Sequence, residues 1–335
     1  MYLSIKANRV WVPVLCGAFL TSCCVKSCYQ ERVEIPNSWH TTFACSAESD
    51  PACYRWWEAM GDPVLTSLIE EAAYRNEDVQ LAALGTEGQL LQAMNEAAAE
   101  IAKSYIRLWG SQQRLQIIED DIEAQKRLLT HEEGLLTTGL IDSVERNDQE
   151  RSLDAYWVQK SAISLAIKKE SFHLSTLLGE PPGSLCGVAD GCLGKLQMPC
   201  EFPVGCPLEL VCRHPGLKEA KKAYDSCASE EAYYNYRKQV YSVLENVEGA
   251  LAALSYARQS VERLGNSSQL KDESYKATLD LFQRGLKGER EVAVAYEEWL
   301  AVREAWLQGR VELLTSYVNL YEALSVGWEA CCGCK

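Results

Sequence analysis

An ungapped internal duplication constrains this chain more than any other feature. At a fixed offset of 146 residues, Gly139-Leu140 falls on Gly285-Leu286. Upstream, Leu108, Leu115, Leu135 and Leu136 fall on Leu254, Val261, Leu281 and Phe282; downstream, Leu174 and Leu178 fall on Leu320 and Leu324. A unit repeated this regularly does not bury its apolar face alone, so the two copies share one core. That overrides the two-domain expectation that 335 residues would otherwise raise.

Within each copy the pattern is helix, glycine, helix. Ile101, Leu108, Leu115, Ile122, Leu129 and Leu136 recur every seven residues, the period of a left-handed coiled-coil seam. They predict one long helix from about Ala93 to Thr137. Gly139 is placed to cap it, and a returning helix is expected from about Val144 to Leu178. Gly179-Glu180-Pro181-Pro182-Gly183 then stops the chain. The second copy repeats the scheme with Val247, Leu254, Val261, Tyr275 and Phe282. Its return leg carries Trp299, Val302, Trp306, Leu313, Tyr317, Leu320 and Leu324. The fold class is all-α: duplicated long antiparallel helical hairpins. Upstream, Asp62-Pro63 supplies an N-cap and a first-turn proline for a shorter helix through Leu65, Leu68, Ile69 and Ala72.

The N-terminus reads as an export signal. Lys6 and Arg9 precede an apolar stretch, Val10 to Leu20, that is shorter than the roughly 20 residues a spanning helix needs. It ends in Leu20-Thr21-Ser22-Cys23, which resembles a bacterial lipobox and implies acylation of Cys23, with palmitate-type chains as anchor. The other reading is an ordinary signal peptide with an incidental cysteine. Cys24, not aspartate, follows the lipobox, so the default destination is the periplasmic face of the outer membrane. The organisation expected is a signal peptide over 1–22, a lipid-anchored tether over 23–55 and a first helical repeat over 56–183. A Cys/Pro-rich connector over 184–212, a second repeat over 213–328 and a Cys-rich tail over 329–335 follow.

Export also fits the 15 cysteines. With Cys16 in the signal and Cys23 acylated, an odd number remains outside the long helices, so at least one is free or pairs between chains. Which cysteines pair stays open. The spacings give no two C-x-x-C pairs, so a zinc-ribbon reading fails. A net charge of −14 excludes a nucleic-acid-binding face and electrostatic docking on an anionic membrane. His40, His131, His173 and His214 are scattered, without ligand or triad spacing. The carboxylates, Glu119-Asp120-Asp121 among them, read as solvated helix faces. Trp299, Trp306, Tyr317 and Tyr321 are at packing distance along a helix. No catalytic set, metal site, phosphate loop or cofactor is indicated.

Five motifs together resemble the outer-membrane efflux factor family, the TolC-like channel lipoproteins of tripartite export systems. Trp56-Trp57-Glu58-Ala59-Met60-Gly61-Asp62-Pro63-Val64-Leu65 is similar to the family's W-W-x-x-x-x-D-P-x-L entry. Asn76-Glu77-Asp78-Val79-Gln80-Leu81-Ala82-Ala83 and Arg213-His214-Pro215-Gly216-Leu217-Lys218-Glu219-Ala220 resemble its two repeat-opening helices. Leu177-Leu178-Gly179-Glu180-Pro181-Pro182-Gly183 matches its hairpin ending, and Tyr321-Glu322-Ala323-Leu324 with Gly327-Trp328 its close. The resemblance covers about Pro36 to Trp328.

What it implies is a homo-trimer in which each chain lends four helical strands to a twelve-helix periplasmic tunnel. The tunnel's tips would meet a periplasmic adaptor protein coupled to an inner-membrane pump. Carried onto this sequence, the tip contacts are Gly139, Leu140, Ser143 and Glu145, and Gly285, Leu286, Glu289 and Glu291. The bland alternative is that the glycines only cap helices. The chain departs from the family where each repeat-opening helix should lead into a lipid-facing strand pair. Leu84 to Ala99 and Lys221 to Glu245 are short, and neither alternates apolar with polar residues. No β-barrel strands are therefore expected. Two functions follow: a passive export channel component, or a structural envelope lipoprotein cross-linked by its cysteines. An enzyme is not indicated.

Overall fold

The computed structural model describes residues 32–41, 55–137, 143–185, 196–198, 204–227 and 229–328, and among these there are eight α-helices and no strand. They are α1 Pro63–Arg75, α2 Glu77–Ala82, α3 Glu87–Thr137, α4 Ser143–Leu177, α5 Pro207–Arg213, α6 Pro215–Cys227, α7 Glu230–Gln283 and α8 Glu289–Ala323. The return legs α4 and α8 begin and end at the same offset that relates the two sequence copies. Helix α3 starts six residues before its expected start, at Glu87, because Thr86 caps it: the Gln89 N–H donates to Thr86 Oγ1 at 3.3 Å.

Four long helices lie side by side in the order α4, α3, α8, α7. Each hairpin packs internally, α3 with α4 and α7 with α8, and the hairpins meet along α3 and α8. That central contact is tight because Gly110 has no side chain: a Cβ there would lie 2.5 Å from Val311 Cγ2. Lys103 bonds Glu322 at 2.7 Å across the same contact, and Lys160 bonds Glu119 at 2.9 Å between α3 and α4.

Burial along the seven-residue seam is uneven. Ile101, Leu108 and Ile122 are at most 3% exposed, whereas Leu115, Leu129 and Leu136 are half-buried.

Opposite the tips, the short helices knit the array together. Asp62 Oδ1 accepts the Val64 N–H at 2.9 Å, capping α1, and Asp62 Oδ2 accepts the Tyr105 hydroxyl at 2.7 Å. Asn76 caps α2 with Oδ1 and donates Nδ2 to the Leu177 carbonyl at 2.8 Å, tying the start of α2 to the end of α4. Gly179 ends that helix at φ +67, and a Cβ there would sit 2.5 Å from the Arg75 carbonyl oxygen. Trp56 stacks on Tyr321 at 4.9 Å, and Trp57 lies 5.2 Å from Trp328, so the first and last motifs of the chain share one cluster.

The connector, expected to be extended, carries α5 at its end, with Pro207 in the first turn and the Cys206 N–H donating to Glu209 at 3.0 Å. The 32–41 segment, within the expected tether, packs on the helices: Val33 and Ile35 lie against the cluster of Val211, Leu217, Val240 and Leu244, and the His40 and Thr41 N–H groups bond Glu248 of α7.

As the sequence indicates, the described residues carry no strand at either place where the family's strand pairs would stand. Between α2 and α3 lie only the turn residues Ala83, Leu84, Gly85 and Thr86. Helix α6 ends at Cys227 and α7 begins at Glu230, with Ser229 Oγ accepting the Ala232 N–H at 3.2 Å. No described helix is long and apolar enough to cross a membrane.

Candidate functional site: hairpin tips and open edges

The second tip is built by a six-residue closure of α7. The Leu286 N–H donates to the Leu281 carbonyl at 2.9 Å and the Gly285 N–H to that of Phe282 at 2.8 Å, with Gly285 at φ +71. In this motif the residue after the glycine ordinarily packs back on the helix. Here Leu286 stays 70% exposed, an apolar side chain presented to solvent at the end of the hairpin. Of the other expected contacts, Glu291 bends back to accept the Gly288 N–H, so it caps α8. Glu289 is the first residue of α8.

In the first tip, Ser143 opens α4 and is exposed, and Glu145 lies in the same first turn. Gly139 and Leu140 lie outside the described residues, as does Cys23 with the whole expected signal. Arg146 joins the two legs, reaching Glu133 of α3 at 3.7 Å and Glu150 of α4 at 2.8 Å. On the second hairpin Lys271 reaches Glu298 at 2.6 Å. In the described part of each hairpin an ion pair joins the two legs, and the first turn of α4 also exposes Val144 at 62%. Only the second adds a described, exposed leucine.

The second notable surface is the pair of outer edges. Helix α4 exposes Val158 (70%), Leu165 (54%) and Phe172 (41%), seven residues apart on one face. Helix α7 exposes Tyr256 (69%) and Leu270 (66%), two heptads apart. Phe172 and Tyr256 lie about nine and eight helical turns from their tip glycines, Val158 and Leu270 about five and four. The two edges therefore carry apolar side chains at matching heights. Between α4 and α8, above α3, runs a cleft of about 580 Å³ bridged by ion pairs Arg107–Glu170 at 2.9 Å and Arg114–Glu304 at 3.4 Å.

Two buried groups depart from the sequence expectation. Asp121, expected on a solvated face, is 1% exposed; Tyr296 donates to its Oδ1, and Oδ2 has no partner. Burial holds its carboxyl above the usual range, outweighing the Tyr296 bond and Arg303, and Glu304 and Asp120 add to the rise. His214, expected at the surface, is largely enclosed, and burial beside Arg213 pushes its imidazole down to about 4. Among the described residues the free thiols are Cys206 and Cys212, the latter exposed; the remaining connector cysteines lie outside the described residues. Among the described residues no cluster of three or more His, Cys, Asp or Glu side chains could hold a metal.

No family model and no curated protein matches this sequence. Solved structures do. The chain superposes on the outer-membrane channel OprN with a TM-score of 0.75 at 17% identity, over 91% of this chain and 100% of that one. It matches the open state of the MtrE outer membrane channel of Neisseria gonorrhoeae with a TM-score of 0.74 at 13% identity, over 90% and 97%. The CmeC outer membrane channel of Campylobacter jejuni gives 0.71 at 13%, over 90% and 94%. The chain has the fold of these TolC-like channels, with helix turns where the expected strand pairs are missing.

Proposed function

We propose that this chain is the outer-membrane-factor component of a tripartite export system. In this reading three copies close into a twelve-helix periplasmic tunnel, and their tips dock a periplasmic adaptor that links them to an inner-membrane pump. Cys23 carries the lipid anchor, on the periplasmic face of the outer membrane. The chain conducts passively, and the pump selects. The observation that carries the reading is the pair of height-matched apolar edges on α4 and α7, which one copy leaves in water and a neighbouring copy would cover. The fold shared with outer-membrane channels supports it.

The test is photo-crosslinking in the native envelope with p-benzoylphenylalanine at Ser143 and at Leu286. Adducts with a hairpin-bearing periplasmic adaptor from both positions support export. Adducts only with the chain itself, or none, remove the adaptor from the account.

A second reading is favoured by the short α2–α3 and α6–α7 joints and by the exposed Cys212 thiol. It makes the chain a non-conducting scaffold of the envelope, cross-linked through cysteines. Disulfide-linked multimers on a non-reducing gel of intact envelopes would favour it over a non-covalent trimer.

A further inference from the structure

We infer that the end of the array opposite the tips is a membrane-contact face, in which Leu81, Leu84 and Tyr234 reach the headgroup layer of the bilayer that holds the Cys23 acyl chains, with Arg237 and Tyr241 about one and two turns behind them. The inference rests on the lipid-anchor reading above for the identity of that bilayer.

Leu84 is 86% exposed, the highest value among the chain's described large apolar side chains, and Leu81 is 67% exposed. Both lie at the α2–α3 joint, where Thr86 bonds Glu219 near the start of α6, the helix that leads into α7. Just past the α6–α7 joint, Tyr234 is 46% and Tyr241 43% exposed. The Arg237 guanidinium lies 5.4 Å from the Tyr234 ring centre and 5.7 Å from that of Tyr241. Tyrosine has an apolar ring and a polar tip, and arginine a long apolar stem with a charged end. Both suit the boundary between headgroups and acyl chains.

These residues do not belong to the tunnel edge. Leu84, Tyr234 and Tyr241 lie about fifteen, fourteen and twelve turns from their tip glycines, whereas α4 ends after about ten and a half. A neighbouring copy's α4 would stop short of them.

Charge permits the contact. Over residues 215–241 five basic side chains (Lys218, Lys221, Lys222, Arg237 and Lys238) stand against four acidic ones, while the whole chain carries −14. The path of the N-terminal segment points the same way. The His40 and Thr41 N–H groups bond Glu248 at 2.6 and 3.1 Å, while Val33 and Ile35 pack on the cluster of Val211, Leu217, Val240 and Leu244, whose α7 members precede Glu248. Traced backwards, the segment heads towards the tyrosine end of α7. Nine further residues lead to Cys23, a reach of up to about 30 Å.

The test places p-benzoylphenylalanine at Leu84 and at Tyr234 of the full chain in native envelopes, with Leu286 at the opposite end as control. The expected result is phospholipid adducts at Leu84 and Tyr234 and none at Leu286. Adducts only with a second copy or another envelope protein at Leu84 and Tyr234 overturn the inference, as do lipid adducts at all three sites. Mass analysis of the N-terminal peptide separates the two claims. Lipid adducts at Leu84 on a chain without acylated Cys23 leave the face standing and remove the anchor; an acylated Cys23 without adducts does the reverse.

Discussion

Tyr105 and Asp62 form a buried pair that joins the entry of the chain to its longest continuous seam. The hydroxyl donates at 2.7 Å to a carboxylate that is 3% exposed and also caps α1. Burial and this carboxylate hold the Tyr105 hydroxyl well above the ordinary phenol range, so it stays a donor at any physiological pH. Tyr105→Phe removes the donor and leaves a charged acceptor enclosed. The expected cost is about 1.5–3 kcal/mol, read as a shift in urea denaturation midpoint at constant slope. An unchanged midpoint would mean that water replaces the hydroxyl.

Asp121 gives a pH dependence of definite sign. Its folded carboxyl titrates above its unfolded value, so the folded state holds a proton that the unfolded state releases. Stability is therefore fullest below the ordinary carboxylate range and declines as pH rises through the folded value. Asp121→Asn is expected to stabilise the protein at neutral pH, with the gain shrinking as pH falls towards the unfolded carboxylate value. Denaturation curves of both proteins across that range check it, and a gain independent of pH would contradict it.

Two glycines in the same backbone region should respond differently. At Gly285 a Cβ meets nothing within 4 Å, so Gly285→Ala costs only the left-handed backbone, about 1 kcal/mol. At Gly179 the Cβ also strikes the Arg75 carbonyl, and Gly179→Ala is expected to cost about 3 kcal/mol or more. Thermal unfolding of the pair orders them.

The edges on α4 and α7 predict an assembly defect without a folding defect. Phe172→Glu with Val158→Glu places charges on side chains that are 41% and 70% exposed, so the single chain tolerates them. Each buried apolar side chain contributes about 1.5–3 kcal/mol to an interface, and losing two should dissociate the oligomer at micromolar concentration. Sedimentation should show a smaller species with unchanged helical circular dichroism.

Much of this architecture was legible because it is written in spacing. The repeat offset and the heptad residues are local signals, and α4 begins and ends within a residue of where such signals put it, while α8 carries the expected return-leg residues from Trp299 onward. The motif residues Asn76, Asp62 and Gly179 also proved to be joints of the fold. Asp121 was not legible, since its burial depends on Tyr296 of a different hairpin, and charge on a helix gives no hint of which neighbour covers it. His214 was missed for the same reason. The uneven burial of the seam, complete at Ile101 and Ile122 and partial at Leu115 and Leu136, depends on which side chains of other elements stand beside each position. The period alone cannot say.

The single-layer order α4, α3, α8, α7 has a thermodynamic consequence. A layer one helix thick leaves two edges exposed, and in the proposed trimer another copy covers them, so there folding and association would draw on adjoining apolar surface. Mass action then couples them: every dilution shifts the chain towards a looser monomer, and every concentration step adds stability. The melting temperature of this protein should therefore be a function of how much of it is in the tube.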